Sequence, residues 1–279
     1  MPKANRSRRL QRLDAELVKR KDARSREHAR EMILAGRVSV NGMRATKPAT
    51  GVDGDVSIRV TESDDDRWAS RGAHKLLGAL AAFEADGLDL AGRRVLDAGA
   101  STGGFTDVCL QRGAAEVLAV DVGYGQLIWR LQNDDRVTVM DRTNVRTLTP
   151  EQLGGPADAM VGDLSFISID LVLPALADCI ADGGDLLPMV KPQFEVGRQR
   201  LGHGGVVRDP ALRAEVTLDV AHAARRHGLS TRAVVASPLP GPSGNVEYFL
   251  WLVKDGGVSA PDDEELTTMV DKAVKEGPQ

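Results

Sequence analysis

The strongest constraint on the fold is a glycine-rich turn that joins an apolar segment to the start of a helix. It lies between Arg94 and Thr106, where the sequence reads Arg-Val-Leu-Asp-Ala-Gly-Ala-Ser-Thr-Gly-Gly-Phe-Thr. Glycines in such a turn let the backbone approach a ligand closely, and the following helix directs its first N–H groups at that ligand. The turn therefore predicts an α/β domain with a ligand site at the carboxyl end of a strand.

The order of residues in this turn favours one kind of ligand. The turn begins Asp-x-Gly, whereas loops that bind dinucleotides read Gly-x-Gly-x-x-Gly, so S-adenosylmethionine is favoured over a dinucleotide. About 20 residues further on, Asp121 ends a second predicted strand, where a carboxylate can accept hydrogen bonds from both ribose hydroxyls. The predicted cofactor-binding residues are Asp97, Gly99, Ser101, Thr102, Gly103, Gly104 and Asp121.

Alternating strand and helix patterns extend this domain over residues 72–276. Strands are predicted from Arg94 and over Glu116–Val120, Val137–Met140, Ala157–Leu164, Asp185–Val190, Thr231–Ala236 and Val246–Val253. Helices are predicted over Ala73–Asp86, Ile169–Ala181 and Ala211–His227. Together these elements predict a Rossmann-like, doubly wound α/β sheet of seven strands that ends in an antiparallel hairpin.

Four charged residues stand beside the apolar segments of this domain. Asp163, Lys191 and Glu247 interrupt or adjoin predicted strands, and Lys75 opens the helix before the first strand. A buried charge is costly unless it is paired, so opposite charges that meet in one cleft would stabilise each other. These four residues are the candidate catalytic residues. The alternative is that each one caps a separate loop, and for Lys75 considered alone that alternative is favoured.

The charge is divided unevenly along the chain. Residues 1–60 contain 15 Lys or Arg and 7 Asp or Glu, whereas the remaining residues contain 21 and 33. A basic segment on an acidic chain is typical of a module that binds phosphates, although a solvated helical tail has a similar composition. The predicted boundaries are 10–61 for a small α+β RNA-binding domain and 62–71 for a linker.

The basic segment has the pattern of two short helices followed by a β-hairpin. Leu13 and Leu17 share one helical face, and Ser25 is a candidate N-cap for the second helix. Asn41-Gly42 is a strong signal for a two-residue hairpin turn. The side chains predicted to contact RNA are Arg12, Arg24, Arg26, Arg30, Arg37 and Arg44.

Short motifs in this segment resemble a known RNA-binding module. They are Arg-Leu-Asp from Arg12, Ser-Arg from Ser25, Gly-Arg-Val from Gly36 and Val-Asn-Gly from Val40. Residues 12–60 thereby resemble the module first described in small-subunit ribosomal protein four, which implies structured RNA as a partner. Such modules usually carry a glycine where this chain has Lys21-Asp22, so a slightly strained turn is expected at the end of the first helix.

Six longer motifs are spread over nearly the whole chain. They are SRGAHKL, LDAGASTGGFT, DVGYGQL, DLSFIS, VKPQFE and SPLPGPSGNVEYFLWL. With them the chain resembles the TlyA, or hemolysin A, family of ribosomal RNA cytidine-2′-O-methyltransferases, which implies S-adenosylmethionine as the cofactor. The related FtsJ-like 2′-O-methyltransferases carry a Lys-Asp-Lys-Glu tetrad, and the matching positions are Lys75, Asp163, Lys191 and Glu247. In this interpretation Lys191 orients the 2′-hydroxyl and takes its proton.

The resemblance also implies a setting for the reaction. It implies ribosomal RNA within 30S subunits, 50S subunits or both as the partner, in the cytoplasm. The extended N-terminus is associated in the family with modification of both subunits, so dual specificity is a hypothesis. Phe166, Tyr248 and Phe249 are candidates to stack on a flipped base or to fill the core, with the core favoured for Phe249.

Three other functions compete with this interpretation. A noncatalytic RNA-binding or ribosome assembly factor could retain the same fold. A membrane-lytic protein is disfavoured because no apolar segment approaches the ~18 residues of a membrane helix, so no stable membrane partner is expected. A base methyltransferase usually carries an Asn-Pro-Pro-Tyr-like motif or a catalytic cysteine pair. Here Cys109 and Cys179 fall in predicted helices, which also argues against a disulfide or a metal site.

Overall fold

The computed structural model describes residues 10–23, 25–61, 67–241, 243–254 and 260–278. The chain divides into two compact units, residues 1–67 and 68–279. Arg24, which is predicted to contact RNA, and residues 62–66 of the predicted linker lie outside the described residues. Each unit has a buried core of its own.

The first unit combines two short helices with two small antiparallel sheets. Its elements are β1 (Gln11–Arg12), α1 (Leu13–Lys19), α2 (Arg26–Leu34), β2 (Val38–Val40), β3 (Met43–Arg44), β4 (Gly51–Val52) and β5 (Ile58–Val60). Strand β2 lies between β3 and β5, and β1 pairs with β4. Leu13, Leu17 and Met32 are buried in its core. The predicted pair of helices and the hairpin are therefore confirmed.

The turns of this unit follow from particular residues. The Ser25 side chain accepts a hydrogen bond from the backbone N–H of His28 and so caps α2. Asn41 and Gly42 both have positive φ angles, as a two-residue hairpin turn requires. Lys21 has a φ angle of +66°, which costs a residue other than glycine roughly 1 kcal/mol. The strain expected at the end of α1 is therefore present in the backbone.

The second unit is built on one large sheet. Its elements are α3 (Ala73–Phe83), β6 (Arg94–Ala98), α4 (Gly104–Gln111), β7 (Glu116–Val120), α5 (Trp129–Gln132), β8 (Val137–Met140), α6 (Pro150–Leu153), β9 (Ala157–Gly162), α7 (Leu173–Asp178), β10 (Ile180–Val190), α8 (Pro192–Glu195), α9 (Pro210–Arg226), β11 (Leu229–Ala236), β12 (Tyr248–Lys254) and α10 (Asp263–Glu276). The seven strands that the structure describes in this sheet lie in the order β11-β12-β10-β9-β6-β7-β8, and β12 runs in the opposite direction to the other six. The predicted sheet with its final antiparallel hairpin is confirmed.

Helices cover both faces of this sheet. One buried cluster joins α3 and α4 to the sheet and includes Leu76, Phe105 and Trp68, which is 3% exposed. The other cluster joins α7, α9 and α10 to the opposite face and includes Leu176 and Val220. Because both faces are covered, side chains that serve a ligand are expected at the edge where the parallel strands end.

The predicted helix Ile169–Ala181 is wrong in its last residues. Strand β10 already begins at Ile180, which pairs with Ala157 of β9. The register of β10 then shifts before Asp185, and Gly183 within the shift has a φ angle of +78°. A glycine bulge thus lets the strand start early, which helical periodicity does not show.

Two further features differ from the sequence predictions. Cys179 is not inside a helix, because it lies between the end of α7 and the start of β10. Helix α10 was absent from the predicted elements, although it buries Leu266 and Val270 against the core. In the part of the chain that the structure describes, no helix combines the length and the apolar composition needed to cross a bilayer.

Candidate active site

Four charged side chains meet at the carboxyl edge of the large sheet. Lys75 lies in the first turn of α3, Asp163 follows β9, Lys191 follows β10 and Glu247 precedes β12. The Nζ atom of Lys75 lies 2.7 Å from Glu247 Oε2 and 3.2 Å from Asp163 Oδ2. The Nζ atom of Lys191 lies 2.5 Å from Asp163 Oδ1. The structure therefore brings all four predicted catalytic residues into one row of alternating charge, the charged cluster.

The charges of this cluster stabilise one another in a buried setting. Burial alone would lower the pKa of Lys75, but Asp163 and Glu247 raise it above the usual lysine value. Burial alone would raise the pKa of Asp163, but Lys191 and Lys75 hold it below the usual aspartate value. Asp163 is therefore an ionised carboxylate that bridges two lysine side chains at neutral pH.

The separate loop-capping role that the sequence favours for Lys75 alone is wrong. Its side chain is 8% exposed and its ammonium group lies between two carboxylates from distant parts of the chain. A helix pattern by itself cannot show such a partner, because Asp163 and Glu247 are brought to α3 only by the folding of the sheet.

Two neutral polar residues extend the charged cluster. Lys191 Nζ donates a 2.7 Å hydrogen bond to Ser165 Oγ, and the Gln193 side chain donates a 3.3 Å hydrogen bond to Glu247 Oε1. Neither residue was singled out from the sequence. Both lie inside the DLSFIS and VKPQFE motifs, so the motifs were the available signal.

A cavity of about 970 Å³ opens beside this cluster. Lys191 and Glu247 line it together with two aromatic residues, Phe166 and Phe194. The two rings are 5.2 Å apart between centroids, and Phe166 is 91% exposed. The exposed ring of Phe166, packed against the half-buried Phe194, offers an apolar face to a planar ligand next to the buried charges.

The other two aromatic candidates do not face this cavity surface. Tyr248 and Phe249 are each 0% exposed within the core clusters. Stacking on a base is therefore excluded for both of them in this conformation, and Phe166 is the candidate that remains.

The glycine-rich turn lies at the end of β6, close to the charged cluster. Gly99 and Gly103 have φ angles of +88° and +99°, which favour glycine. A Cβ atom at Gly99 would lie 3.2 Å from the backbone oxygen of Asp163, and one at Gly104 would lie 3.1 Å from the backbone nitrogen of Ala73. The turn therefore packs closely against the segment that carries Asp163 and against the start of α3.

Asp97 supplies a buried carboxyl group at the base of this turn. Its Oδ2 accepts a 2.6 Å hydrogen bond from Thr106, whereas Oδ1 is buried without a hydrogen-bond partner among the described residues. Burial raises the pKa of Asp97 to about 7. An orphaned carboxylate oxygen beside a glycine turn fits the ammonium group of S-adenosylmethionine, so the residues present suit this cofactor.

Asp121 joins the glycine turn to the loop after β7. Its Oδ2 accepts a 2.8 Å hydrogen bond from the Ser101 N–H, and its Oδ1 accepts one of 2.7 Å from the Gly123 N–H. Ser101 itself has a positive φ angle, and the carbonyl oxygen of Thr102 accepts a hydrogen bond from the Ile128 N–H. These contacts hold the predicted cofactor-binding segment in its conformation. The hydrogen bonds between Asp121 and the ribose stay a prediction.

The predicted RNA-binding arginines of the first unit differ in their contacts. Arg12 and Arg26 both pair with Asp14, at 2.7 and 3.1 Å, which lowers the pKa of that carboxyl to about 2. Their own side chains remain 52% and 61% exposed. Arg30 and Arg44 are also exposed, whereas Arg37 is half-buried. The unit therefore presents several cations at its surface, and their contact with RNA stays a prediction.

The chain is similar to known families over both units. Residues 68–254 match the FtsJ-like methyltransferase family, and residues 11–58 match the S4 domain. The 16S/23S rRNA (cytidine-2'-O)-methyltransferase TlyA of Mycobacterium tuberculosis is 56% identical over 96% of this chain and 98% of its own length.

Two further comparisons cover nearly the whole chain. YqxC of Bacillus subtilis is 41% identical over 95% of this chain and 94% of its own length. A solved structure from Streptococcus thermophilus, described as a hemolysin, has a TM-score of 0.75 and 38% identity, and it covers 97% of this chain and 98% of that one. The similarity thus extends through both units and includes the segments that carry the charged cluster.

Proposed function

The chain belongs to the TlyA family of FtsJ-like methyltransferases, and from this premise we propose that it methylates the 2′-hydroxyl of cytidine in ribosomal RNA with S-adenosylmethionine. The observation that carries the proposal is the charged cluster of Lys75, Asp163, Lys191 and Glu247 beside the glycine-rich turn. In this proposal the cluster handles the proton and the neighbouring glycine-rich turn binds the cofactor, which agrees with ligand binding at this edge of such sheets.

The cofactor would be held by the glycine-rich turn and the carboxylates around it. S-adenosylmethionine supplies a methyl group that is already activated as a sulfonium. Asp97 would accept a hydrogen bond from the ammonium group through its orphaned Oδ1. Asp121 would accept hydrogen bonds from the ribose hydroxyls with lone pairs that Ser101 and Gly123 leave available.

Lys191 is the residue proposed to act on the 2′-hydroxyl. When bound, the cofactor would supply the methyl group to the hydroxyl oxygen and would keep the electron pair of the bond from carbon to sulfur, so the hydroxyl has to lose its proton. For Lys191 to act as a base, the ammonium that pairs with Asp163 would first give its own proton to solvent, and the amine would then take the hydroxyl proton. The ammonium that forms again would be stabilised by Asp163, 2.5 Å away. Lys75 and Glu247 hold Asp163 in register from the other side. Positioning supplies much of the acceleration, because the methyl donor is already reactive.

The exposed ring of Phe166 is proposed to receive the target base. Enzymes that extrude a nucleotide from a structured RNA stack the freed base on aromatic side chains. Phe166 lies at the cavity that Lys191 lines, and its ring is 91% exposed. It is therefore the residue best placed to stack on the cytosine.

The partner is RNA, and we propose both ribosomal subunits as its source. The S4 domain at residues 11–58 and the family membership support an RNA substrate. The Mycobacterium tuberculosis relative is described as acting on both 16S and 23S rRNA, and the similarity covers 98% of its length. We therefore propose the cytoplasm, where ribosomal subunits are found, as its location.

The test is transfer of labelled methyl groups to purified 30S and 50S subunits. Lys191→Ala is expected to lower the rate by about 100-fold or more, as for the loss of a general base, while cofactor binding is retained. Lys272→Ala, which removes an exposed lysine of α10, serves as the matched control. Digestion of the labelled RNA should yield 2′-O-methylcytidine. If the wild type labels neither subunit, the proposal is wrong and a noncatalytic RNA-binding role becomes the better explanation.

A further inference from the structure

Phe166 lies in the loop of residues 163–168, which follows β9. A carboxylate forms hydrogen bonds at the C-terminal end of this loop. Glu195 is the last residue of α8 and is half-buried. Its Oε2 accepts a 2.6 Å hydrogen bond from the Ser168 hydroxyl, and its Oε1 accepts a 2.9 Å hydrogen bond from the backbone N–H of Ile169. Because the two oxygens hold two consecutive residues, both the position and the direction of the loop end are fixed.

These hydrogen bonds matter because the backbone of the loop is strained. Phe166 has a φ angle of +64°, a region that bulky L-residues rarely adopt and that persists only where the surroundings hold it. On the near side of Phe166, Ser165 Oγ accepts a hydrogen bond from Lys191. On the far side, the bonds to Glu195 hold the chain. The strained residue is therefore held from both ends, once by the charged cluster and once by Glu195.

We propose that Glu195 is a positioning residue that keeps Phe166 in place to stack on the target base. It acts through Ser168 and Ile169, and the RNA does not need to touch it. The inference rests on the proposed function, since it gives the held loop a task in binding the cytidine. Glu195 would thus be a residue outside the charged cluster that controls binding of the target base.

The electrostatic setting of Glu195 supports a mutual dependence with the loop. Burial raises the pKa of its carboxyl group, while the hydrogen bonds from Ser168 and Ile169 lower it. A partly buried carboxylate without such donors is unfavourable. The donors of the loop therefore stabilise Glu195 as much as Glu195 stabilises the loop.

Loss of the Glu195 carboxylate should raise the KM for RNA and leave kcat unchanged. Without Glu195 the loop samples other conformations, and only a fraction of the molecules presents Phe166 correctly. Binding to a fractionally populated state raises the apparent dissociation constant by the inverse of that fraction. Saturating RNA restores the competent conformation, so kcat and the affinity for S-adenosylmethionine are expected to remain unchanged.

The experiment compares three variants in methyl transfer to ribosomal subunits. Glu195→Ala is expected to raise the KM for RNA about tenfold, as for a loop that is competent in about a tenth of the molecules. Glu195→Gln should stay within about twofold of wild type, because its amide can accept from Ile169 and donate to Ser168. Asp219→Ala is the control, since Asp219 is a carboxylate of α9 that lines the same small cavity as Glu195.

Amide hydrogen exchange over residues 164–169 gives a readout that does not need methyl transfer. Exchange should be faster in Glu195→Ala and unchanged in Glu195→Gln and Asp219→Ala. If the wild type is active and Glu195→Ala keeps both its KM and its exchange rates, the positioning role is refuted while the proposed function stands.

Two other outcomes separate the proposals. If the wild type transfers no methyl group, the proposed function fails, and the exchange data alone decide whether Glu195 holds the loop. If Glu195→Ala and Glu195→Gln both lose cofactor affinity and melt at a lower temperature, Glu195 has a general structural role and the positioning proposal is overturned.

Discussion

The buried carboxyl group of Asp97 is partly protonated near neutral pH. It is 0% exposed, and burial raises its pKa to about 7 against the opposing hydrogen bond from Thr106. An ammonium group placed beside its orphaned Oδ1 would favour the ionised carboxylate and lower that pKa. Cofactor binding and proton release should therefore be coupled at this residue.

We expect S-adenosylmethionine binding near pH 7 to release about half a proton per protein molecule. The sign follows because Asp97 with a pKa of about 7 is half protonated before binding and becomes ionised in the complex. Isothermal titration calorimetry in buffers of different ionisation enthalpy measures this release. Asp97→Asn should bind more weakly and show no dependence on the buffer. A wild-type enthalpy that is identical in all buffers would rule out the coupling.

The residues that the sequence could identify share a common property. Asp163, Lys191 and Glu247 interrupt or adjoin apolar strands, and a charge in that context is conspicuous without any structure. Ser165 and Glu195 follow no such rule, because a serine in a loop or a glutamate at the end of a short helix is ordinary. Their importance lies in hydrogen bonds to residues 26 or 27 positions away in the chain, which no local pattern contains.

At the scale of elements, α10 begins with a reciprocal pair of hydrogen bonds. The Asp262 side chain accepts a 2.8 Å bond from the Glu265 N–H, and the Glu265 side chain accepts a 3.0 Å bond from the Asp262 N–H. These bonds satisfy two of the N–H groups that the first turn of a helix leaves without partners. The cap fixes where α10 starts and thereby places Leu266 and Val270 on the core.

Asp262→Ala is expected to lower the free energy of unfolding by about 1 kcal/mol. The reason is that the Glu265 N–H loses its acceptor and the capping box is broken. Urea unfolding followed by circular dichroism measures the change, and Asp262→Ser should recover most of it. Glu264→Ala, in the same first turn, is the control and should cost about 0.5 kcal/mol or less. An equal loss in both variants would show that the cap itself contributes nothing.

The elements also show where sequence patterns stop being informative. Strands such as β7 and β8 were placed correctly because short apolar segments alternate with helical ones. The start of β10 was missed because its early pairing through Ile180 depends on the bulge at Gly183. Helix α10 was missed although its capping box, from Asp262 to Glu265, is visible in the sequence. The start of β10 could not be predicted from local patterns, because strand pairing joins residues that are distant in the chain. Helix α10 could have been predicted from its capping box.

At the scale of the whole molecule, the two units carry opposite electrostatic characters. Residues 1–60 contain 15 basic and 7 acidic residues, and the remainder contains 21 and 33. An acidic catalytic unit gains little from the phosphates of RNA, so the attraction must come mainly from the first unit. Arg30 and Arg44 are exposed on that unit, and Arg12 and Arg26 keep more than half of their side chains exposed although Asp14 pairs with them.

This distribution predicts that affinity for ribosomal RNA falls steeply with salt and that the slope depends on particular arginines. Arg30→Ala should weaken binding and reduce the slope of log affinity against log salt by about 1, the effect of losing one phosphate contact. Arg59→Ala removes the same charge from an exposed site on β5, outside the predicted RNA-binding set. Filter binding to 30S and 50S subunits over a range of salt concentrations measures both slopes. Equal reductions in the two variants would mean that net charge alone attracts the RNA, whereas a reduction confined to Arg30→Ala would locate the contact at the predicted surface.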